Sequence, residues 1–410
     1  MTATLDKTAE FPLHLSIAEF LARFPGAVPA LTDQGCQAIL EPENLKVYGP
    51  IVKLGTLLRS RQIDPRAFLN LVGPQETSGD TVADTGGGNL NLFALLPCPL
   101  KVPLEEAFLG FVERLPEAER ARLSFCIEGN ANNQLDYADY ADHFEHLDEM
   151  PDIVITPGFN SFFHRWFVER FINTGQFQCV NAATGDRHLQ ALGVIDPDGH
   201  YTMLATNLLV LVVNEARLGD RPVPSCWLDL LRPEYAGSLA IRGNRDGSFC
   251  ETLLLTIYKE FGAAGLERLG HNVRYGWHPS QMVKAALSGG DNAPAVSVMP
   301  LFFAKTLMGR KGVSVVWPED GALVSPVTML VKAEKREALR TVIDFLSGPE
   351  VARICSGAFF PALHPDIDNA LPEHASFKWI GWDFVKNNDL KALIAHSNEI
   401  FERAFSGAAA

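Results

Sequence analysis

Beyond residue 89 the chain alternates short, apolar, β-branched runs with stretches of helical spacing, and that alternation restricts the fold more than any other feature. "NLNLFALLPCP" (89–99), "RLSFCIEG" and "PDIVITPG" read as strands, the last two closing on a Gly turn. "MLATNLLVLVVNEA" reads as a long strand, and "PAVSVMP" and "VSVVWP" as shorter ones. "VPLEEAFLGFVERL" between the first two is an amphipathic helix. Such layering predicts an α/β fold with mostly parallel strands. Open sheets of this kind bind ligands beyond the carboxyl ends of their strands. Here those ends are Pro97-Cys98-Pro99, Glu128-Gly129-Asn130, Pro157-Gly158-Phe159-Asn160 and Met299-Pro300.

The first 75 residues follow a different pattern, that of a small all-helical unit. In "LSIAEFLARFPGAVPALTDQGC" (15–36), Ser16 is an N-cap with Glu19 three residues on, a capping box, and Pro25-Gly26 breaks the helix. Residues 50–72 add two short helices separated at Ile63-Asp64-Pro65. Then "GPQETSGDTVADTGGGN" (73–89), rich in Gly, Thr and Asp, reads as a linker between two cores, with 76–88 as its body. A chain of 410 residues is too long for one ordinary core, so several domains are expected.

Composition excludes some partners. The net charge of −14 argues against nucleic acid and anionic membranes. No apolar run approaches the roughly 18 residues of a membrane-spanning helix. The start, "MTATLDKTAEFPLHLSIAEF", has no basic segment followed by an apolar core, so the expectation is a cytoplasmic protein without a secretory signal. The seven cysteines are scattered and contain no CxxC, which fits reduced thiols better than a disulfide framework.

Three stretches carry a resemblance. "WLDLLRPEYAGSLAI" (227–241), "DIVITPG" (152–158) and "SPVTMLVKAEKREALRTVIDFLSGPEVARICSGAFFPALHPDI" (325–367) follow in the order seen in type 2 periplasmic-binding proteins. Within that fold the chain is most similar to the solute-binding proteins of iron, thiamine and polyamine transporters. The resemblance implies two lobes, 89–205 with 325–410 and 206–324, hinged near 204–208 and 322–328. It also implies a small ligand (an anion, a metal ion or a metal complex) held in the cleft as the lobes close. Iron-binding relatives often use adjacent tyrosines in the second lobe, where this chain has "MPLFFAK". The segments "IAEFLARFPGAVPALTDQGC" and "QIDPRAFLNLV" resemble a helical domain found ahead of iron-sulfur-repair and hybrid-cluster-related proteins. That likeness implies a protein partner for the N-terminal domain. Relatives carry paired cysteines there, whereas Cys36 is followed by Gln37, so no metal role for this domain is expected.

Candidate ligand contacts follow from strand ends and turns: Cys98, Pro99, Asn130, Gly158, Phe159, Asn160, Ser161, Met299, Pro300 and the hinge residue Ser325. To these the Gly247-Ser248 turn adds Phe249 and Cys250, opening a helix whose free N–H groups favour an anion; the plain alternative is that Ser248 only caps it. No GxxxxGK[ST] is present, so this is not a nucleoside-triphosphate loop. Cys98 and Cys250 are expected on opposite cleft walls, and a helix N-terminus lowers a thiol's pKa, so the pair is a candidate soft-metal site. Against that stands cysteine's commonest role, a small buried hydrophobe. No cofactor is required by the sequence. His143 and His146, three apart amid carboxylates, read as a solvated acidic face, and His164 as structural. No GxSxG elbow or acid/base pair is visible. The alternatives to a solute binder are a metal or cluster chaperone or sensor acting through Cys98 and Cys250, and an enzyme on the same scaffold.

Overall fold

Two long strands hold the molecule together. In the computed structural model, which describes residues 12–72, 90–129, 137–181, 186–243, 248–405 and 408–409, the thirteen-residue β4 (Thr202–Asn214) lies beside β9 (Ala322–Val331) at the centre of one sheet. To one side stand β3 (Ile153–Pro157), β1 (Leu92–Leu96) and β2 (Phe125–Gly129). To the other stand β7 (Val296–Pro300), β5 (Leu239–Ile241), β6 (Val273–Gly276) and β11 (Ala408–Ala409). β8 (Val313–Val316) pairs with β4, and β10 (Phe377–Lys378) with β9.

Pairing is parallel within each flank and antiparallel at the centre. β1 pairs in parallel with β2 and β3, as β5 does with β6 and β7. β9 runs antiparallel to β3 and β4, and β4 antiparallel to β7 and β8. The sequence expectation of mostly parallel strands describes the flanks only. The centre differs because β4 carries the chain from the first lobe to the second and β9 returns it. The strand segments read from sequence coincide with β1, β2, β3, β4, β7 and β8. Flank strands such as β1, LFALL, are buried along their whole length, which is why they read as continuous apolar runs rather than alternating ones.

Helix α1 (Cys98–Arg114) begins one residue after β1, because Pro97 sets an extended entry and Pro99 fits a first turn whose N–H groups have no intrahelical partner. Cys98 is therefore the first helical residue and not part of a loop. Helix α2 (Glu251–Asn272) follows β5 and is broken at Gly262, whose φ of +63° ends the first straight piece. Helix α3 (Leu390–Ala404) lies along α2, with the Phe401 and Phe249 rings 4.6 Å apart, and β11 pairs with β6. The end of the chain thus belongs with the second lobe. This corrects the expectation that 325–410 returns wholly to the first, because Ile400 and Phe401 of α3 pack into the second-lobe core, while Leu390 at its start joins the cluster shared with the first lobe.

The N-terminal helices form as read: Glu19 N–H donates to Ser16 Oγ at 3.2 Å while Ser16 N–H donates to Glu19 Oε2 at 2.8 Å. They do not, however, have a core of their own. Ile17, Phe20, Leu57 and Phe68 belong to the same apolar cluster as Phe93, Tyr137 and Phe162 of the first lobe. Tyr48 and Phe93 bring their rings to 6.3 Å, and Arg59 Nε donates to the His143 carbonyl at 2.8 Å. The expected separation into two cores is replaced by one continuous core. Among the described residues no helix is long and apolar enough to cross a membrane.

Candidate functional site

The two lobes meet at the start of α2. After β5 the chain passes Arg242 and Gly243, and Gly243 forms a β-bridge with Phe249. Cys250 N–H donates to the Arg242 carbonyl at 3.1 Å, and Phe249 N–H donates to Asn398 Oδ1 at 3.0 Å, so α3 helps to fix the turn. Glu251, the first residue of α2, then projects toward the first lobe. Arg242 Nη2 donates to Glu251 Oε2 at 2.8 Å. The other oxygen, Oε1, stands 3.0 Å from the place a Cβ on Gly158 would occupy, and Ser325 Oγ stands 4.0 Å from the same place. Gly158 is required here twice over, by its φ of +77° and by this close approach. Its N–H donates to the Pro326 carbonyl at 2.7 Å, which ties the loop after β3 to the crossing strand β9. Asn207 lies opposite Ser325 in the β4–β9 register, and its Oδ1 is buried with no hydrogen-bond partner among the described residues.

Beside Glu251 is a cavity of about 240 Å³ bounded by both lobes. His164 comes from the first lobe, Ser248, Phe249, Glu251, Leu254 and Leu255 from the start of α2, and Lys391, Ile394, Ala395 and Asn398 from α3. Asn160 sets the approach of His164: its Oδ1 accepts from Phe162 N–H at 3.1 Å and caps the short turn Ser161–Phe163. His164 Nδ1 lies 3.0 Å from both carboxylate oxygens of Asp142. Lys391 Nζ donates to Asp142 Oδ2 at 2.7 Å. Burial alone would raise the Asp142 carboxyl, but the bonds from His164 and Lys391 outweigh it and hold the group below its ordinary value. A second ion pair, Arg165 Nε to Asp389 Oδ2 at 4.0 Å, joins the same two segments.

The structure brings together Gly158, Ser325, Ser248 and Phe249 from the sequence-expected set. Asn160 and Ser161 support the wall rather than line the cavity, Asn160 as a cap and Ser161 as a buried residue. Phe159 is buried and stacked on Trp379 at 5.5 Å. Met299 and Pro300 are buried, and the next turn places Phe302 on Phe360 of the first lobe at 5.3 Å, an aromatic contact between the lobes with no hydroxyl to bind a metal. Pro99 is the second residue of α1. Asn130 and Gly247 fall outside the described residues.

The cysteines correct the sequence reading. Cys98 is exposed, whereas Cys250 is buried in the second-lobe core with Leu253 and Leu254. Burial, with the neighbouring Glu251 carboxylate adding to it, pushes the Cys250 thiol up to about 11. The helix N-terminus was expected to lower it; desolvation of the thiolate is the larger effect. Burial raises Cys98 as well. Among the described residues the one group of three metal-ligating side chains is Glu145, His146 and Glu149, and it contains no cysteine. Glu149 is already engaged by Thr56 and Arg59 side chains and by the Glu145 and His146 N–H groups.

Sequence reasoning missed Glu251, Arg242, Lys391 and Asn398, and read Asp142 as part of a solvated acidic face. Only Glu251 left a local signal, as an acidic residue in the first turn of a helix. His164 was noticed and read as structural.

The family model for bacterial extracellular solute-binding proteins matches residues 148–388. None of the curated proteins matches this chain. Among solved structures, the apo ferric ion-binding protein A of Pasteurella haemolytica is similar at 17% identity and a TM-score of 0.53, covering 76% of this chain and 98% of that one. A Trichodesmium protein in complex with iron and citrate is similar at 15% identity and a TM-score of 0.52, covering 77% and 98%. Apo FutA2 from Synechocystis gives 16% identity and a TM-score of 0.53 over 77% and 98%. Likeness at this identity shows the fold, a two-lobed α/β arrangement of the periplasmic-binding-protein kind.

Proposed function

The chain belongs to the bacterial extracellular solute-binding protein family, and from that premise we propose that it closes its lobes on a small solute at the Glu251 junction. One observation carries the reading: a carboxylate of the second lobe comes close against Gly158 of the first, beside a cavity of about 240 Å³ lined by both lobes. Opening about β4 and β9 would separate Glu251 from Gly158, Lys391 from Asp142 and Phe302 from Phe360. A solute that bridges the lobes adds to those contacts and favours closure.

The ligand classes suggested by sequence fare unequally. Glu251 stands where an anion would sit at the helix N-terminus, with Arg242 as its counter-ion, so a bound anion would have to displace it. The chaperone reading through Cys98 and Cys250 loses its physical basis with the burial of Cys250. Delivery to a transporter partner follows from the family premise alone. For location, the family description is extracellular, while seven free cysteines fit a reducing compartment. Fractionation of cells making the native protein decides between them.

The test is a thermal-shift screen of small solutes, run in parallel on Glu251→Gln. A solute at ~100 times its dissociation constant should add about 2.7 kcal/mol of stability. The gain should shrink in the variant. A screen of ferric citrate, oxyanions, amines, amino acids and neutral small molecules that leaves the wild-type melting point unmoved would reject solute binding.

A further inference from the structure

The cavity beside Glu251 is selective by its lining. Phe249, Leu254, Leu255, Ile394 and Ala395 make its walls apolar. Glu251 and Lys391 are the charged side chains at its edge, and each is already in an ion pair: Glu251 with Arg242 at 2.8 Å and Lys391 with Asp142 at 2.7 Å. A charged ligand would give up its hydration there and gain a counter-charge only by breaking one of those pairs. A neutral ligand avoids that cost.

His164 then sets the polarity. Its Nδ1 lies 3.0 Å from both oxygens of Asp142, and a carboxylate is an acceptor only, so Nδ1 carries the proton. His164 lines the cavity, and with Nδ1 taken by Asp142 the remaining polar atom of the neutral ring is Nε2, a lone-pair acceptor. Asp142 itself is fixed from the far side by Lys391, so the tautomer is held by a chain of bonds running from one lobe to the other.

We infer that the cavity takes a neutral, mainly apolar small molecule presenting one O–H or N–H donor to His164 Nε2, with Asp142 as the positioning residue. This rests on the solute-binding reading and names the ligand class of the same site. It also separates the site from one built for an anion or a bare metal ion.

The experiment uses the full chain and four probes of one shape: benzyl alcohol, benzyl methyl ether, benzoate and benzylammonium, titrated by saturation-transfer NMR. Benzyl alcohol should bind at least about ten-fold more tightly than the ether, the worth of one hydrogen bond to a buried acceptor. Both ions should bind more weakly than the alcohol. His164→Phe should erase the alcohol–ether difference while keeping the apolar wall. Asp142→Asn should reduce it and move the His164 ring ¹⁵N resonances away from the Nδ1–H tautomer, a change that loss of packing alone would not produce. Circular dichroism of both variants checks that they fold. Equal binding of the ether or either ion, no binding of the alcohol, or an Asp142→Asn protein that keeps the preference would overturn the inference. If the alcohol fails while another solute stabilises the protein through Glu251, solute binding stands and only this ligand class falls.

Discussion

Gly158 and Asp142 show how much a single position can decide. Gly158 is visible in the sequence as a turn after a strand, yet its second task, leaving room for Glu251, is set by a residue 93 positions away. Asp142 was read as one carboxylate on a solvated acidic face and is instead the shared partner of His164 and Lys391. Its folded pKa is held below the unfolded value, so its contribution is complete above the ordinary carboxylate pKa of about 3.9. That contribution is lost as the pH falls through the lowered folded value. Asp142→Asn should therefore cost roughly 1–3 kcal/mol at neutral pH, the range for hydrogen bonds to a charged group. The gap between the two proteins should close below about pH 4. Urea unfolding at a series of pH values measures this, and a gap that is independent of pH would show that the carboxylate charge plays no part.

At the scale of elements, the N-terminal helices were legible as helices but expected apart, and the chain end that holds α3 was expected with the first lobe. A helix declares its apolar face in its own sequence, but not which surface will cover it. The N-terminal helices share a core with β1 and the segment around Tyr137, and Arg59 and Thr56 reach the nearly buried Glu149. Arg59→Ala removes the charge that balances Glu149 and should destabilise the protein by up to about 3 kcal/mol, as breaking one side of a buried pair does. Removing the helices altogether should leave a first lobe with exposed apolar surface that binds a hydrophobic dye and melts without a sharp transition. A truncated protein that melts cooperatively at the full-length temperature would restore the separable domain that the Gly-rich segment suggested. The capping box at Ser16 shows the converse, since all its partners lie within three residues.

At the scale of the whole molecule, contacts join the lobes at several points: Glu251 on Gly158, Phe302 on Phe360, and two ion pairs from α3 to Asp142 and Arg165. Lys391 is largely exposed, so replacing it should leave each lobe intact. Lys391→Ala should shift the unliganded protein toward an open form, seen as a larger radius of gyration in X-ray scattering, and a saturating solute should reverse the shift. An unchanged radius would mean that the other contacts suffice to keep the cleft closed.

By itself the sequence determined strands β1, β2, β3, β4, β7 and β8, the capped first helix and the turn at Gly158, with the two-lobed α/β class coming from the resemblance of three stretches. Each of these follows from apolar periodicity, turn residues or a motif contained within a short window of chain. Tertiary structure alone decided the environment of every group that gives the site its chemistry. Lys391 meets Asp142 across 249 residues, and Thr56 meets Glu149 across 93. It also decided that Cys250, at a helix N-terminus that favours a thiolate, is a buried thiol instead. The reason is common to all of these: protonation, pairing and burial depend on which distant surfaces come together, and local spacing carries no record of that.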